Sequence, residues 1–183
     1  MYALTVVLAL AVIIFLVYPT ILRVFSKKKL GQFFHAVFPV QMLAFSTSSS
    51  AATLPLTLER TQKHLGVSEE VSSFVLPVGV TINMDGTSCY QAVAAVFLAQ
   101  VIGLGLTFSQ MLLILATATI SSIGTPGIPG GSIVMLIIVL DSVGIPIEGL
   151  ALILGIDRPL DMLRTVVNVT GDTTVACIVD DTK

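Results

Sequence analysis

The chain has 183 residues, 55% of them apolar and 11% charged, with a formal net charge of −2 and a mean hydropathy of +0.99. Soluble domains carry about 25% charged residues, so the composition excludes an ordinary soluble domain, a disordered chain and a basic nucleic-acid binder. The two cysteines, Cys89 and Cys177, are too few for a disulfide scaffold, and a membrane-embedded protein is what remains.

In chain order, residues 1–23 form a continuous apolar run closed by Arg23, Lys27, Lys28 and Lys29. A helix of roughly 20 apolar residues crosses a bilayer. The basic residues follow the run rather than precede it, which is the wrong order for a signal peptide. Four further apolar blocks follow, at 31–65, 71–102, 109–140 and 149–179, and none is clean. The first is broken at Ser46–Ser50, the second at Asn83-Met84-Asp85-Gly86-Thr87, and the third at Gly124–Gly131. The fourth reads as a long helix carrying Asp157, Arg158, Asp161, Arg164, Asn168 and Asp172.

Lys and Arg mark cytoplasmic loops. Basic residues follow the first span and the block at 31–65, and Lys183 lies at the end; the linkers near 103–110 and 141–148 have none. The loops after 23 and 60 and the C-terminus are therefore expected in the cytoplasm of a multi-pass plasma-membrane protein. The blocks at 31–65 and 109–140 must then enter and leave on the same side, from opposite faces. The predicted fold is all-α: three transmembrane helices, one of them broken, and two oppositely oriented re-entrant helical hairpins. This is the inverted-repeat pattern of secondary transporters.

Irregular backbone at membrane depth must be buried in protein or line a water-filled cavity, so the breaks point to one shared cavity. On the last helix, Asp157, Asp161, Arg164, Thr165, Asn168 and Asp172 fall within an arc of about 100°, taking ~100° per residue. An ionisable residue inside a span is by default a functional site. Asp85, Asp157, Asp161 and Asp172 oppose only Arg158 and Arg164. Buried unpaired charge is too costly to persist, so protons or hard, oxygen-seeking cations must balance the excess. Arg164 suits a carboxylate, which its guanidinium can grip bidentately. His35, His64 and the cysteines show no metal-site spacing. Asp157, Asp161 and Asp172 share one helix, unlike the paired aspartates of an intramembrane protease, so no enzyme is expected.

At these residues the chain resembles the dicarboxylate/amino acid:cation symporters, the glutamate transporter family. The resemblance rests on Ser48-Ser49-Ser50 before Thr53-Leu54-Pro55, and on Asn83-Met84-Asp85-Gly86-Thr87. It continues through Ser122-Ile123-Gly124-Thr125 to Pro129-Gly130, and through Gly155-Ile156-Asp157, Asp161, Arg164-Thr165, Asn168-Val169 and Gly171-Asp172. It implies an acidic substrate held between the hairpin tips by Ser49, Ser50, Thr87, Ile128, Gly131, Asp161, Arg164, Thr165 and Asn168. It implies coupling cations, Na+ or H+, at Gly79, Thr81, Asn83, Met84, Asp85, Ser122, Ile123, Thr125, Asn168 and Asp172. The presence of Arg164 favours aspartate or glutamate, with C4-dicarboxylates as the alternative. Arg158 is a candidate for the second arginine that acidic amino acid carriers have and that Ser48 and Met162 do not provide here. The resemblance further implies an elevator mechanism and a homotrimer built on scaffold spans that precede the matched region. Without that scaffold, the chain alone is expected to bind substrate rather than to drive uptake.

Overall fold

The computed structural model describes residues 1–183 and is helical throughout. Helix α1 runs Tyr2–Phe25, with a π-helical stretch at Ile13–Val17 just before Pro19. Proline has no N–H and its ring crowds the carbonyl four residues back, and a widened turn is one way a helix absorbs that. Helices α2 (Leu30–Thr47) and α3 (Ser50–Leu65) follow. They are joined by Ser48, a non-glycine residue in the left-handed region (φ 52°). Ser49 caps α3 by accepting the Ala52 N–H, which satisfies one of the free amides of a helix start.

Helix α4 (Glu69–Ile82) starts at the cap residue Ser68, with Glu69 and Glu70 on its positive end. It stops at Asn83 and Met84, whose backbones are not helical, and α5 (Asp85–Val101) resumes at once. The expected break at 83–87 is thus only two residues wide. Helix α6 (Phe108–Ile123) opens on a capping box between Thr107 and Gln110. The tip at 124–130 leads into α7 (Gly131–Ser142) through Gly130, whose φ of 77° favours glycine. A 3-10 turn (Ile147–Leu150) precedes α8 (Ala151–Asp181).

The elements pack as helical pairs: α2 and α3 lie against α8, whereas α6 and α7 lie against α5, which in turn packs on α8. Two apolar clusters result. One gathers Tyr2, Val6 and Leu10 of α1 with α5, α6, α7 and the first half of α8. The other joins Leu22, α2 and α4 to Val169, Ala176 and Cys177 in the second half of α8. Helix α8 is therefore the shared wall, and its whole polar stripe, Asp157, Asp161, Arg164, Thr165, Asn168 and Asp172, is buried as its spacing predicts.

Only Tyr2–Phe25 is both long and apolar enough to cross a membrane by length and composition. The other two expected spans fall short of that test for a physical reason: α4 and α5 are halved by the break, and α8 carries the charged stripe.

Candidate solute and cation site

The tips of the two hairpins touch. Ser49 Oγ donates to the Gly127 carbonyl at 2.8 Å, and the Ala51 N–H donates to the same oxygen at 3.2 Å. Beneath them lies a cleft of about 20 Å³ lined by Ser48, Ser50, Met84, Thr87, Thr125, Pro126, Gly127, Ile128, Ser132, Asp161, Thr165 and Asn168. That volume holds about one water molecule, so any larger solute requires the tips to part.

Six of the sequence-predicted solute residues line this cleft: Ser50, Thr87, Ile128, Asp161, Thr165 and Asn168. Ser49 instead ties the tips together. Gly131 lies beside the cleft, where a Cβ would meet Pro126 at 2.8 Å. Arg164 does not line it. Its guanidinium is 1% exposed, donates to Asp157 Oδ1 at 2.9 Å and to Asp161 Oδ1 at 2.8 Å, and stacks over Tyr90 at 3.6 Å. The spacing of seven from Asp157 and three from Asp161 is legible on a helix, yet sequence reasoning counted Arg164 in the charge balance and assigned it to substrate without pairing it to these two aspartates. Arg158 reaches only the other Asp161 oxygen, at 3.9 Å, with 57% of its side chain exposed. The Gly130 N–H also donates to that oxygen, at 3.0 Å, so one carboxylate links the second tip to both arginines.

Asn168 knits the break to α8. Its Oδ1 accepts the Gly86 N–H at 2.8 Å, and its Nδ2 faces Thr87 Oγ1 at 3.2 Å and Met84 Sδ at 3.1 Å. Nearby, Asn83 Nδ2 donates to Asp172 Oδ1 at 3.0 Å, and the Tyr18 hydroxyl donates to Asp85 Oδ2 at 2.9 Å. Gly79 faces Asp172 so closely that a Cβ would sit 2.5 Å from Oδ1. Tyr18 escaped sequence reasoning because nothing local ties it to residues so far along the chain.

The remaining predicted cation residues lie apart from this group in their bonding. Thr81 is on the exposed side of α4 and bonds back to Val78. Ser122 and Thr125 turn their hydroxyls to Thr119 and Ser121 at the end of α6, and Ile123 is half-exposed.

Charge divides cleanly along the stripe. Asp157 and Asp161 are matched by Arg164 and Arg158, two negative against two positive, whereas neither Asp85 nor Asp172 has a cationic partner. No group of three His, Cys, Asp or Glu converges anywhere. A cation held here would therefore need amide and carbonyl oxygen beside these carboxylates.

Secondary transporters commonly build their solute and ion sites from broken helices of this kind. The model of the sodium:dicarboxylate symporter family matches residues 1–182. The chain is 44% identical over 179 residues to an excitatory amino acid transporter of Caenorhabditis elegans, covering 98% of this chain and 36% of that protein. It is 44% identical over 180 residues to human excitatory amino acid transporter 1, covering 98% and 33%. With mouse excitatory amino acid transporter 5 the identity is 45% over 177 residues, covering 97% and 32%. The chain belongs to the sodium:dicarboxylate symporter family, a family of transporters and not of enzymes. It spans about a third of the length of these relatives.

Proposed function

We propose that the chain forms the cargo-binding core of a cation-coupled symporter for acidic amino acids, aspartate or glutamate, in the plasma membrane. The observation that carries this reading is the division of charge. The solute end of the stripe is neutral as it stands, and the Asp85–Asp172 end has two carboxylates and no counter-ion. Asp172 is buried while Asp85 is exposed at the helix break; a buried carboxylate without a partner is stable only with added positive charge, so solute and cation occupy adjoining parts of one helix. Asn83 and Asn168 bridge the broken helix to α8 on either side, so that ordering one region orders the other. The family description supports sodium as the coupling ion, and the names of the relatives support an acidic amino acid.

The membrane setting rests on the apolar exterior. Large apolar side chains are exposed along α1 (Leu8, Phe15, Leu16), α6 (Phe108, Leu112, Leu115) and α7 (Val134, Ile138). On this reading the pairs α2–α3 and α6–α7 are re-entrant hairpins entering from opposite faces. Their tips open to admit the solute, and the core then moves as a body past scaffold spans. The site residues are those lining the cleft, together with Gly79, Asn83, Asp85 and Asp172 for the cation.

Calorimetry of L-aspartate binding with and without sodium tests this. Coupling between two sites is typically worth 5–150-fold in affinity, and a tightening of about that size on adding sodium is expected. Equal affinity in sodium and in choline, at constant pH, overturns sodium coupling. Binding of succinate but not aspartate overturns the amino acid assignment.

A further inference from the structure

Serine and threonine hydroxyls inside helices usually donate back to the carbonyl three or four residues earlier. This chain follows that habit at Thr53, Thr57, Thr165 and Thr173. Ser132 does not. Its hydroxyl is buried and has no hydrogen-bond partner, although the residue is only 3% exposed. The carbonyl of Ile128, four residues back, already accepts the Gly131 N–H at 3.2 Å. The Ser132 backbone is held in turn by Gln91, whose Nε2 donates to its carbonyl at 3.4 Å. The residue lines the cleft, and so does Ser48, whose hydroxyl is likewise buried and unpaired. A buried hydroxyl without a partner costs stability, and here both such groups border one small space.

We propose that the Ser132 hydroxyl is a solute contact, donating a hydrogen bond to a carboxylate of the bound amino acid, with Ser48 completing the polar wall from the other tip. This deepens the acidic amino acid reading above and rests on it. The chemistry of the cleft selects the carboxylate. Asp161 is the only charged side chain in the lining, and its carboxylate suits the ammonium group of an amino acid; no lining residue is cationic. A carboxylate that reaches the α7 side of the cleft is then met there by neutral donors, with Arg164 lying behind Asp161. Ser132 is the second residue of α7, where first-turn amides lack helical partners and the helix dipole favours negative charge.

The test is Ser132→Ala, read by aspartate calorimetry in sodium and by the thermal midpoint of the solute-free protein. A hydrogen bond to a charged group is worth enough that its loss weakens binding by about tenfold or more. The midpoint of the empty protein should hold or rise, because the substitution removes a hydroxyl that is unsatisfied until solute arrives. An aspartate affinity within twofold of the original chain overturns the proposal. So does a parallel fall in affinity and midpoint, down to failure to fold, which assigns Ser132 a packing role. If the unsubstituted chain binds no aspartate, the acidic amino acid reading itself falls, and this assignment with it.

Discussion

Gly79 has no side chain where Asp172 has no room for one. A methyl group there would lie 2.5 Å from Asp172 Oδ1 and 2.9 Å from its carboxyl carbon. Asp172 is buried and held by Asn83, so Gly79→Ala should push the carboxylate off that amide. Overpacking of this kind costs about 1–3 kcal/mol. The expected result is a lower thermal midpoint together with a weaker dependence of aspartate binding on sodium. A variant with the original sodium dependence would separate Asp172 from the cation. Gly171 works in the same way from the α8 side, where a Cβ would meet the Tyr18 hydroxyl at 2.5 Å and Asn83 Nδ2 at 2.7 Å. Small residues on two helices thus let the polar groups of a third helix and a helix break close on one another.

At the scale of elements, the contact between the tips combines the Ala51 N–H with one side chain that has two tasks. Ser49 Oγ accepts the Ala52 N–H to cap α3 and donates to Gly127 across the tips. Ser49→Ala loses both, and each bond of this kind is worth about 1 kcal/mol. Faster amide hydrogen exchange is expected at 124–131 and at the start of α3, with α5 unchanged; equal rates in both proteins would mean that the tips are held by something else. The breaks that make these tips were legible in the sequence. Runs of Ser, Gly and Pro between long apolar stretches leave few alternatives, and the stripe on α8 was readable from its helical period. The widths were overestimated, because a Ser-rich or Asn-Met-Asp run contains no signal for where a helix resumes. What was illegible is tertiary: Arg164 clasped by its own helix and stacked on Tyr90, Tyr18 bound to Asp85, and the unpaired hydroxyl of Ser132 just past the glycines. Each depends on which side chains distant segments bring opposite one another.

At the scale of the molecule, the ends of α1 and α8 are clasped together. Ser26 Oγ and the Lys27 N–H donate to Asp181 at 2.6 and 2.8 Å, Lys28 lies 3.7 Å from Asp181 and 3.9 Å from Asp180, and Ser68 donates to Asp180. The Ser68 N–H holds the Asp180 carboxyl below the usual carboxylate range, helped by the Ser68 hydroxyl and Lys28. Burial alone would raise Asp181, but the Ser26 hydroxyl, the Lys27 amide and Lys28 outweigh it and its carboxyl is also lowered. A carboxyl lowered by folding contributes stability that is fully present above its unfolded value and lost as pH falls through its folded value. The thermal midpoint should therefore decline below the ordinary aspartate range, about pH 4. Asp180→Asn with Asp181→Asn should flatten that decline and cost about 1 kcal/mol or less at neutral pH, given solvent screening. An unchanged acid limb of the melting curve would place the pH sensitivity elsewhere.

The clasp and the Tyr18 contact also bear on the order in which the protein is made. Tyr18 reaches the Val167 carbonyl across 149 residues, and Ser26 reaches Asp181 across 155. Helix α8 bears Asp157, Arg158, Asp161, Arg164 and Asp172, and on the membrane assignment proposed above each such residue costs about 2.5–3.5 kcal/mol at the centre of a lone helix. Synthesis proceeds from the N-terminus, so the groups that receive this stripe, from Tyr18 through Asn83, Gly86, Tyr90 and Gly130, have all left the ribosome before it does. The segment least able to enter lipid alone emerges after its polar partners have been made, and its insertion amounts to docking into a prepared groove.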